Sequence, residues 1–570
     1  MKLQKIKDFN KFYCNSIFSI VCVYNITEKY VEKEVQIINY KYYDYYLNEF
    51  KNVDNQLKDQ FKIIINGKER PLVCKYKFKK AGKHIISFLL SSKLPLINMN
   101  SMFYMCDTLC EINLSFLKNA EITDMSNMFY GCSSLQKIDF FSLQTDKVKD
   151  MSYMFFGCSS LKELDLKSFK TENVINMENM FSRCSSLIKL DLTNFKTDNV
   201  KNMSDMFNGC TSLKELNLNF NVENVTNMEN MFYGCQSLKQ LKLPFKADNV
   251  VNMSNMFYGC GSLENLDLSS FKTEKVENLS SLFQYCFKIQ KLDLSLFKTQ
   301  NLKYISSMFL GCFELKNIQL SLDSTKIVDM SDLFAECRSL EILDLKNFTT
   351  ENVKIMRNMF YNCTALRFLN LPSFQTNNVI DMSKMFYNCN SLKNIILGSF
   401  ITNNLKNMNN MFDRRSNPKE SNVLSIKTNN VIDMSYMFYG CQCLQNLDLS
   451  FFKTNKVTKM NCMFKKCKSL KEINLSKFET YNVKDMSFMF YECSSLKKLN
   501  LSSFTTYNTI NMKGMFYKCF KLRALNLLLF KTKKNTKIEK MFQGHPLFCD
   551  ITCNDNRLLK EYEKNSCSIF

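Results

Sequence analysis

At 570 residues with 45% hydrophobic content, the chain is too apolar for a disordered protein and too long for one compact core. That leaves several domains, or a repeat array whose core grows in one dimension. The 13 glycines and 6 prolines exclude a collagen-like or linker-rich composition. Two histidines, with no phosphate-loop, dinucleotide, zinc-protease or nucleophile-elbow pattern, leave little material for catalysis, and the expectation is no enzyme and no cofactor. The net charge of +22 is discounted, because the Asn, Lys, Ile, Phe and Tyr skew without Trp reads as AT-rich codon bias.

In chain order, the apolar stretch Cys14 to Tyr24 falls short of the roughly 18 residues a membrane-spanning helix needs. It reads as a buried strand; Asp8 and the missing small-residue cleavage site argue against a secretory leader. Tyr45 to Phe61 reads as a helix. Phe61 to Leu90 alternates like strands, with hairpins expected at Asn66-Gly67 and at Ala81-Gly82. Residues 1–95 are therefore expected to form a small α+β cap over the open first coil of an array. Residues 1 to 100 hold 18 Lys and Arg against 9 Asp and Glu, which reads as a solvated cap.

From residue 96 the chain repeats. Sixteen of the 25 cysteines share one phase with a spacing of 25 or 26 residues, apart from one skipped slot, a period within the leucine-rich-repeat range. About 18 coils result when Arg415 and His545 are counted in the cysteine slot. In the coil Asn249 to Val276, Met253, Met256, Phe257 and Cys260 fall at i, i+3, i+4 and i+7, the face of a two-turn helix. Asn252 stands where its N-cap belongs, and 14 of the 18 coils carry Asp or Asn there. Leu263, Leu266 and Leu268 supply a strand with one buried face. Phe271 closes the coil, and its equivalents, including Phe169, Phe195, Phe452, Phe478 and Phe504, are expected to stack as an aromatic spine. Cys260 reads as a small apolar residue filling a crowded corner, not as a ligand or nucleophile.

The segments "NVTNMENMFYGCQSLKQLKL" (Asn224 to Leu243) and "NVIDMSKMFYNCNSLKNIIL" (Asn378 to Leu397) closely resemble the BspA-like leucine-rich repeats of bacterial surface proteins and protist proteins. The resemblance runs from about Leu96 to His545, since the Met, Met-Phe, Cys and Leu positions recur together. It implies a curved solenoid that binds proteins or surfaces without catalysis. Bacterial members are often secreted adhesins, whereas many protist members lack an export signal, and this chain resembles the latter.

The expected fold class is thus α/β: a curved leucine-rich-repeat solenoid over residues 96–545, with a parallel strand face and short helices on the return side. The α+β cap occupies 1–95, and a C-terminal cap or tail 546–570. In that tail His545, Cys549, Cys553 and Cys567 are spaced loosely for zinc but match no usual finger, and no metal site is assigned.

The residue between the alternating leucines points off the core onto a strand face expected to be concave. Asp139, Asp165, Asp191, Asp267, Asp293, Asp344 and Asp448 occupy it and form the candidate partner-binding stripe. A lysine row follows the Phe slot, including Lys170, Lys196 and Lys272. One coil breaks the pattern: Arg415 takes the cysteine slot and Pro418 a leucine slot, so Arg414, Arg415 and Pro418 mark a candidate docking loop or hinge. The functional expectation is a noncatalytic protein-interaction scaffold, cytoplasmic and without a transmembrane segment. The alternative is a cationic surface-binding or adhesion protein that contacts anionic membrane, glycan or nucleic acid and is placed at the cell surface or secreted. Only nine of the 76 basic residues are arginine, which argues against specific nucleic-acid recognition and leaves weak nonspecific anionic binding.

Overall fold

A computed structural model of the chain describes residues 18–39, 41–44, 49–52, 61–90, 96–115, 117, 120–141, 143–243, 246–346, 348–392, 394–397, 402–414, 426–546 and 549–566. Two compact units, Met1–Val276 and Glu277–Phe570, divide the chain.

The first unit begins with a sheet in which Phe18–Ile26 pairs antiparallel with Gly82–Leu90, itself paired with Phe61–Ile65. The Asn66-Gly67 hairpin forms as expected. Both residues take positive φ, 51° and 77°, and Phe61–Ile65 returns as Lys68–Pro71. The second expected hairpin does not form, because Lys75–Lys77 pairs with Glu34–Gln36 instead of with Gly82–Leu90. Nor is Tyr45 to Phe61 a helix where it is described: Glu49–Asn52 is a strand paired with Lys41–Asp44. Tyr42, Tyr43 and Phe50 are residue types that favour strands. The sheet does not stop at the repeats, since Phe18–Ile26 also pairs antiparallel with Leu109–Asn113, which pairs parallel with Lys137–Asp139.

Beyond that point both units are leucine-rich-repeat solenoids, in which most described coils carry one short strand and paired strands run parallel and in register. Leu190 pairs with Leu216 in the first unit, and Leu369 with Ile395 in the second. Met253, Met256, Phe257, Cys260, Leu263, Leu268 and Phe271 are core residues as expected, whereas Leu266 is half-buried.

The return side differs from the helical expectation. Met253 to Cys260 is a run of turns, because Asn255 (φ 56°) and Gly259 (φ 69°) adopt the left-handed conformation that ends an α-helix. Nearly every coil repeats this pair of positions. The freed N–H groups do not stay orphaned. Alternate ones donate to the next coil, as in Asn230 N–H to Ser254 O at 3.0 Å and Phe232 N–H to Met256 O at 2.9 Å, while those between close local turns, as in Tyr233 N–H to Asn230 O at 2.9 Å. The Asn252 slot therefore caps no helix. Its Oδ1 accepts the Ser254 N–H at 3.0 Å, an Asx turn that starts the bend.

The expected aromatic spine is present, with Phe478–Phe504 stacked at 6.0 Å, and a second, tighter one is added to it. The rings of the Met-Phe pair stack from coil to coil, Phe181–Phe207 at 5.6 Å and Phe207–Phe232 at 5.5 Å in the first unit, and Phe360–Phe386 at 5.7 Å in the second. The slot that closes the coil stacks more loosely, with Phe169–Phe195 at 6.4 Å and Phe452–Phe478 at 6.5 Å. Buried threonines two residues after that slot pin successive coils. Thr171 Oγ1 accepts the Lys196 N–H and donates to the Lys196 carbonyl, each at 2.8 Å.

Candidate interaction face

Every aspartate of the candidate stripe takes the same local geometry. One carboxylate oxygen accepts the N–H two residues on: Lys167 to Asp165 at 3.1 Å, Thr193 to Asp191 at 3.1 Å, and Ser269 to Asp267 at 2.9 Å in the first unit. In the second unit Ser295 donates to Asp293 at 2.9 Å, Lys346 to Asp344 at 3.0 Å and Ser450 to Asp448 at 2.9 Å. Asp139 does the same with Phe141 at 3.0 Å, and its other oxygen takes an N–H from Asn113. These Asx turns end each strand, so the stripe has a structural role that its spacing alone did not show. Asp165, Asp267, Asp293, Asp344 and Asp448 are exposed, while Asp139 and Asp191 are half-buried. The hydrogen bonds from the residue two places on hold the carboxyls of Asp191, Asp267 and Asp293 below the usual range, so all three are anionic at neutral pH. The lysine row is exposed as well, although its backbone is tied into the threonine ladder, as at Lys170.

The sixteen phased cysteines are all buried and unbridged. At least fourteen thiols have a definite partner that sequence reading did not supply, the carbonyl of the Met-Phe phenylalanine one coil back; Cys260 Sγ–H donates to Phe232 O at 3.1 Å and Cys467 Sγ–H to Phe438 O at 3.0 Å. Burial pushes the Cys260 thiol up to about 12, which removes it as a nucleophile at neutral pH.

Arg414 is exposed, takes φ 56° and lies with its guanidinium 5.8 Å from the Tyr387 ring centre. Arg415 and Pro418 lie outside the described residues, as does Cys567 of the zinc set. His545 is buried, and its ring packs edge-on against Phe542 and Tyr562. Among the described residues no three His, Cys, Asp or Glu side chains converge as metal ligands, and no helix is long and apolar enough to cross a membrane.

The family model described as "Mycoplasma protein of unknown function, DUF285" matches six overlapping stretches, residues 97–218, 210–319, 285–397, 313–425, 366–472 and 432–554. The chain belongs to this family. As a DUF285 protein it is a leucine-rich-repeat-like repeat protein throughout the matched region; the match does not single out the BspA-like group. No curated protein matches the chain. Among solved structures it is similar to the one titled "Crystal structure of TLR13-ssRNA13 complex", at 16% identity over 83% of this chain and 79% of that one, with a TM-score of 0.18. It is also similar to the Drosophila Toll–Spatzle complex, at 14% identity over 77% and 56% with a TM-score of 0.19. A leucine-rich repeat protein from Eubacterium ventriosum gives 11% identity over 66% and 82%, also with a TM-score of 0.19. Scores this low carry no argument about partner or activity.

Proposed function

We propose that this DUF285 protein is a noncatalytic protein-interaction scaffold that presents its strand face to a partner with basic or polar groups. The observation that carries the reading is the carboxylate stripe: each aspartate is fixed by an Asx turn, and Asp165, Asp267 and Asp293 keep the second oxygen on an exposed side chain. Side chains held rigidly at one register on a regular scaffold lose little entropy when a partner binds. In this reading residues 1–95 and 546–570 cap the array, and the pairing of Phe18–Ile26 with Leu109–Asn113 supports the first. A reducing, cytoplasmic setting fits cysteines that serve as thiol hydrogen-bond donors.

The test uses the native partner recovered by crosslinking to the full chain, with its affinity then measured against a D165N/D191N/D267N variant. Asparagine keeps the oxygen that accepts the Asx-turn N–H and removes the charge, whereas reversal to lysine would also break the turn. An affinity loss of tenfold or more with an unchanged melting temperature is expected. Equal affinity would exclude the stripe.

A further inference from the structure

The largest excess of positive charge lies in one stretch of the second unit. Residues 453–540 are all described and hold twenty Lys and Arg against five Asp and Glu, a net +15 of the chain's +22. Among the described residues, Lys459 alone of these twenty has a carboxylate within ion-pair distance, Asp433 at 3.7 Å.

The densest part is a face made by three aligned segments, KKCKSLKE (465–472), YECSSLKK (491–498) and YKCFKLRA (517–524). Nine cations meet two acids there, Glu472 and Glu492, with Asp550 at the following strand. Lys471, Lys497 and Arg523 share one register position; the Arg523 N–H donates to the Lys497 carbonyl at 2.8 Å, and Lys498 pairs with Ala524 in the parallel ladder. Adjacent strands lie about 4.8 Å apart, and like charges so placed repel. Some other coils pair opposite charges along the ladder instead, as in Lys189–Glu215 at 2.8 Å and Glu341–Arg367 at 3.8 Å. Within the column Lys471 Nζ donates to Gln445 Oε1 of the preceding coil at 3.3 Å, and among the described residues Lys497 and Arg523 have no carboxylate within ion-pair distance.

Aromatic rings interleave with these cations. Tyr491 and Tyr517 stack at 4.8 Å, Lys465 and Lys518 lie over them at 4.7 and 5.4 Å, and Phe520 is 56% exposed between Cys519 and Lys521. A row of cations advancing by one coil spacing, beside an exposed ring, matches a linear polyanion that also offers flat faces. Bases stack on aromatic side chains with little regard to sequence, while lysines track the phosphates. A sulfated glycan or a lipid headgroup supplies the charge without the stacking partner.

We propose that the face built from residues 465–472, 491–498 and 517–524 binds single-stranded nucleic acid without sequence specificity. This site is separate from the carboxylate stripe, so either can fail alone.

The test is fluorescence anisotropy of the full chain with a labelled 20-nucleotide oligo-uridylate, alongside a duplex of equal length, heparin fragments and anionic phospholipid vesicles. The single strand should bind best. Its log affinity should fall linearly with log salt, with a slope of roughly −2 to −4, corresponding to about three to six phosphates at about −0.7 each. K471E/K497E/R523E should weaken binding at least thirtyfold, and the milder K497Q/R523Q, which keeps the fold if the reversal does not, at least fivefold. K162E/K214E/K316E, the same charge change at the same register in other coils, should change it less than threefold. Phe520→Ala should cost about fivefold or more on the oligonucleotide and nothing on heparin. Equal losses in the control triple variant, or binding to heparin or vesicles but not to the oligonucleotide, would overturn the proposal.

Discussion

The Cys260 thiol donates to the Phe232 carbonyl one coil back at 3.1 Å, and that carbonyl also accepts the Cys235 N–H at 3.1 Å. Each such phenylalanine thus offers its ring to the stack and its oxygen to two donors. A small apolar side chain with no donor would fill the corner equally well but leave the second bond unmade, which accounts for cysteine at this slot rather than alanine.

Thiol reactivity follows from this arrangement. Cys443 is exposed and Cys74, Cys549 and Cys553 are half-buried, whereas the sixteen phased cysteines are buried. Under a thiol reagent in native buffer, mass spectrometry should find Cys443 modified first among the described cysteines and the phased set protected until unfolding. Prompt modification of most of the sixteen would refute the packing.

Asn255 carries the left-handed bend at φ 56°. Asn255→Ala should destabilise the fold by about 1 kcal/mol or more, while Asn255→Gly should be close to neutral. Denaturant unfolding of both variants separates the bend from a helix: in a helix, alanine would be the more stable of the two.

Asp413 stands where neighbouring coils carry Tyr387 and Tyr439, and it is buried. Asn410 donates to its Oδ2 at 2.7 Å, while its Oδ1 has no hydrogen-bond partner. Burial raises its carboxyl to about 7, against the opposing effects of Asn410, Arg414 and Lys384. A raised carboxyl favours the folded state when protonated, so its contribution is full below about pH 4, the unfolded value, and is lost as pH rises through 7. The melting temperature of the wild type should therefore drop more between pH 5 and pH 8 than that of Asp413→Asn. Parallel curves for the two proteins would contradict the assignment.

For the coil that carries Arg415 and Pro418, we propose a weak point in the second unit, because the sequence puts an arginine in the cysteine slot and a proline in a leucine slot, residue types that do not suit an apolar core strand. Limited proteolysis should cleave first between Asp413 and Ser425 and leave two resistant fragments. Protection equal to that of other coils would remove the hinge.

The period, the strand and the buried positions were legible because each coil repeats the same apolar slots, and burial follows them at Met253, Phe257 and Leu263. The return segment was misread because i, i+3, i+4, i+7 spacing fits this chain of turns as well as a helix. The distinguishing signal was the recurrent Asn at the Asn255 slot and Gly before Cys, both tolerant of positive φ. The thiol and threonine bonds were invisible because each acceptor sits about a coil away in the chain. The aspartate stripe showed its exposure but not its Asx turns, although Asp-Leu-Ser, as at Asp267 to Ser269, is a local cue. The Ala81-Gly82 hairpin failed because the true partners of that strand, Phe18–Ile26 and Phe61–Ile65, are remote in sequence.

Hydrogen–deuterium exchange of the full chain, free and bound to its crosslinked partner, decides whether the strand face is the recognition surface. Slowed exchange confined to the strands and Asx turns, such as Lys189–Leu192 and Asn265–Asp267 with the residues that follow them, is the expected footprint. Protection confined to the return turns, such as Met253 to Cys260, with the strands unchanged, would contradict it.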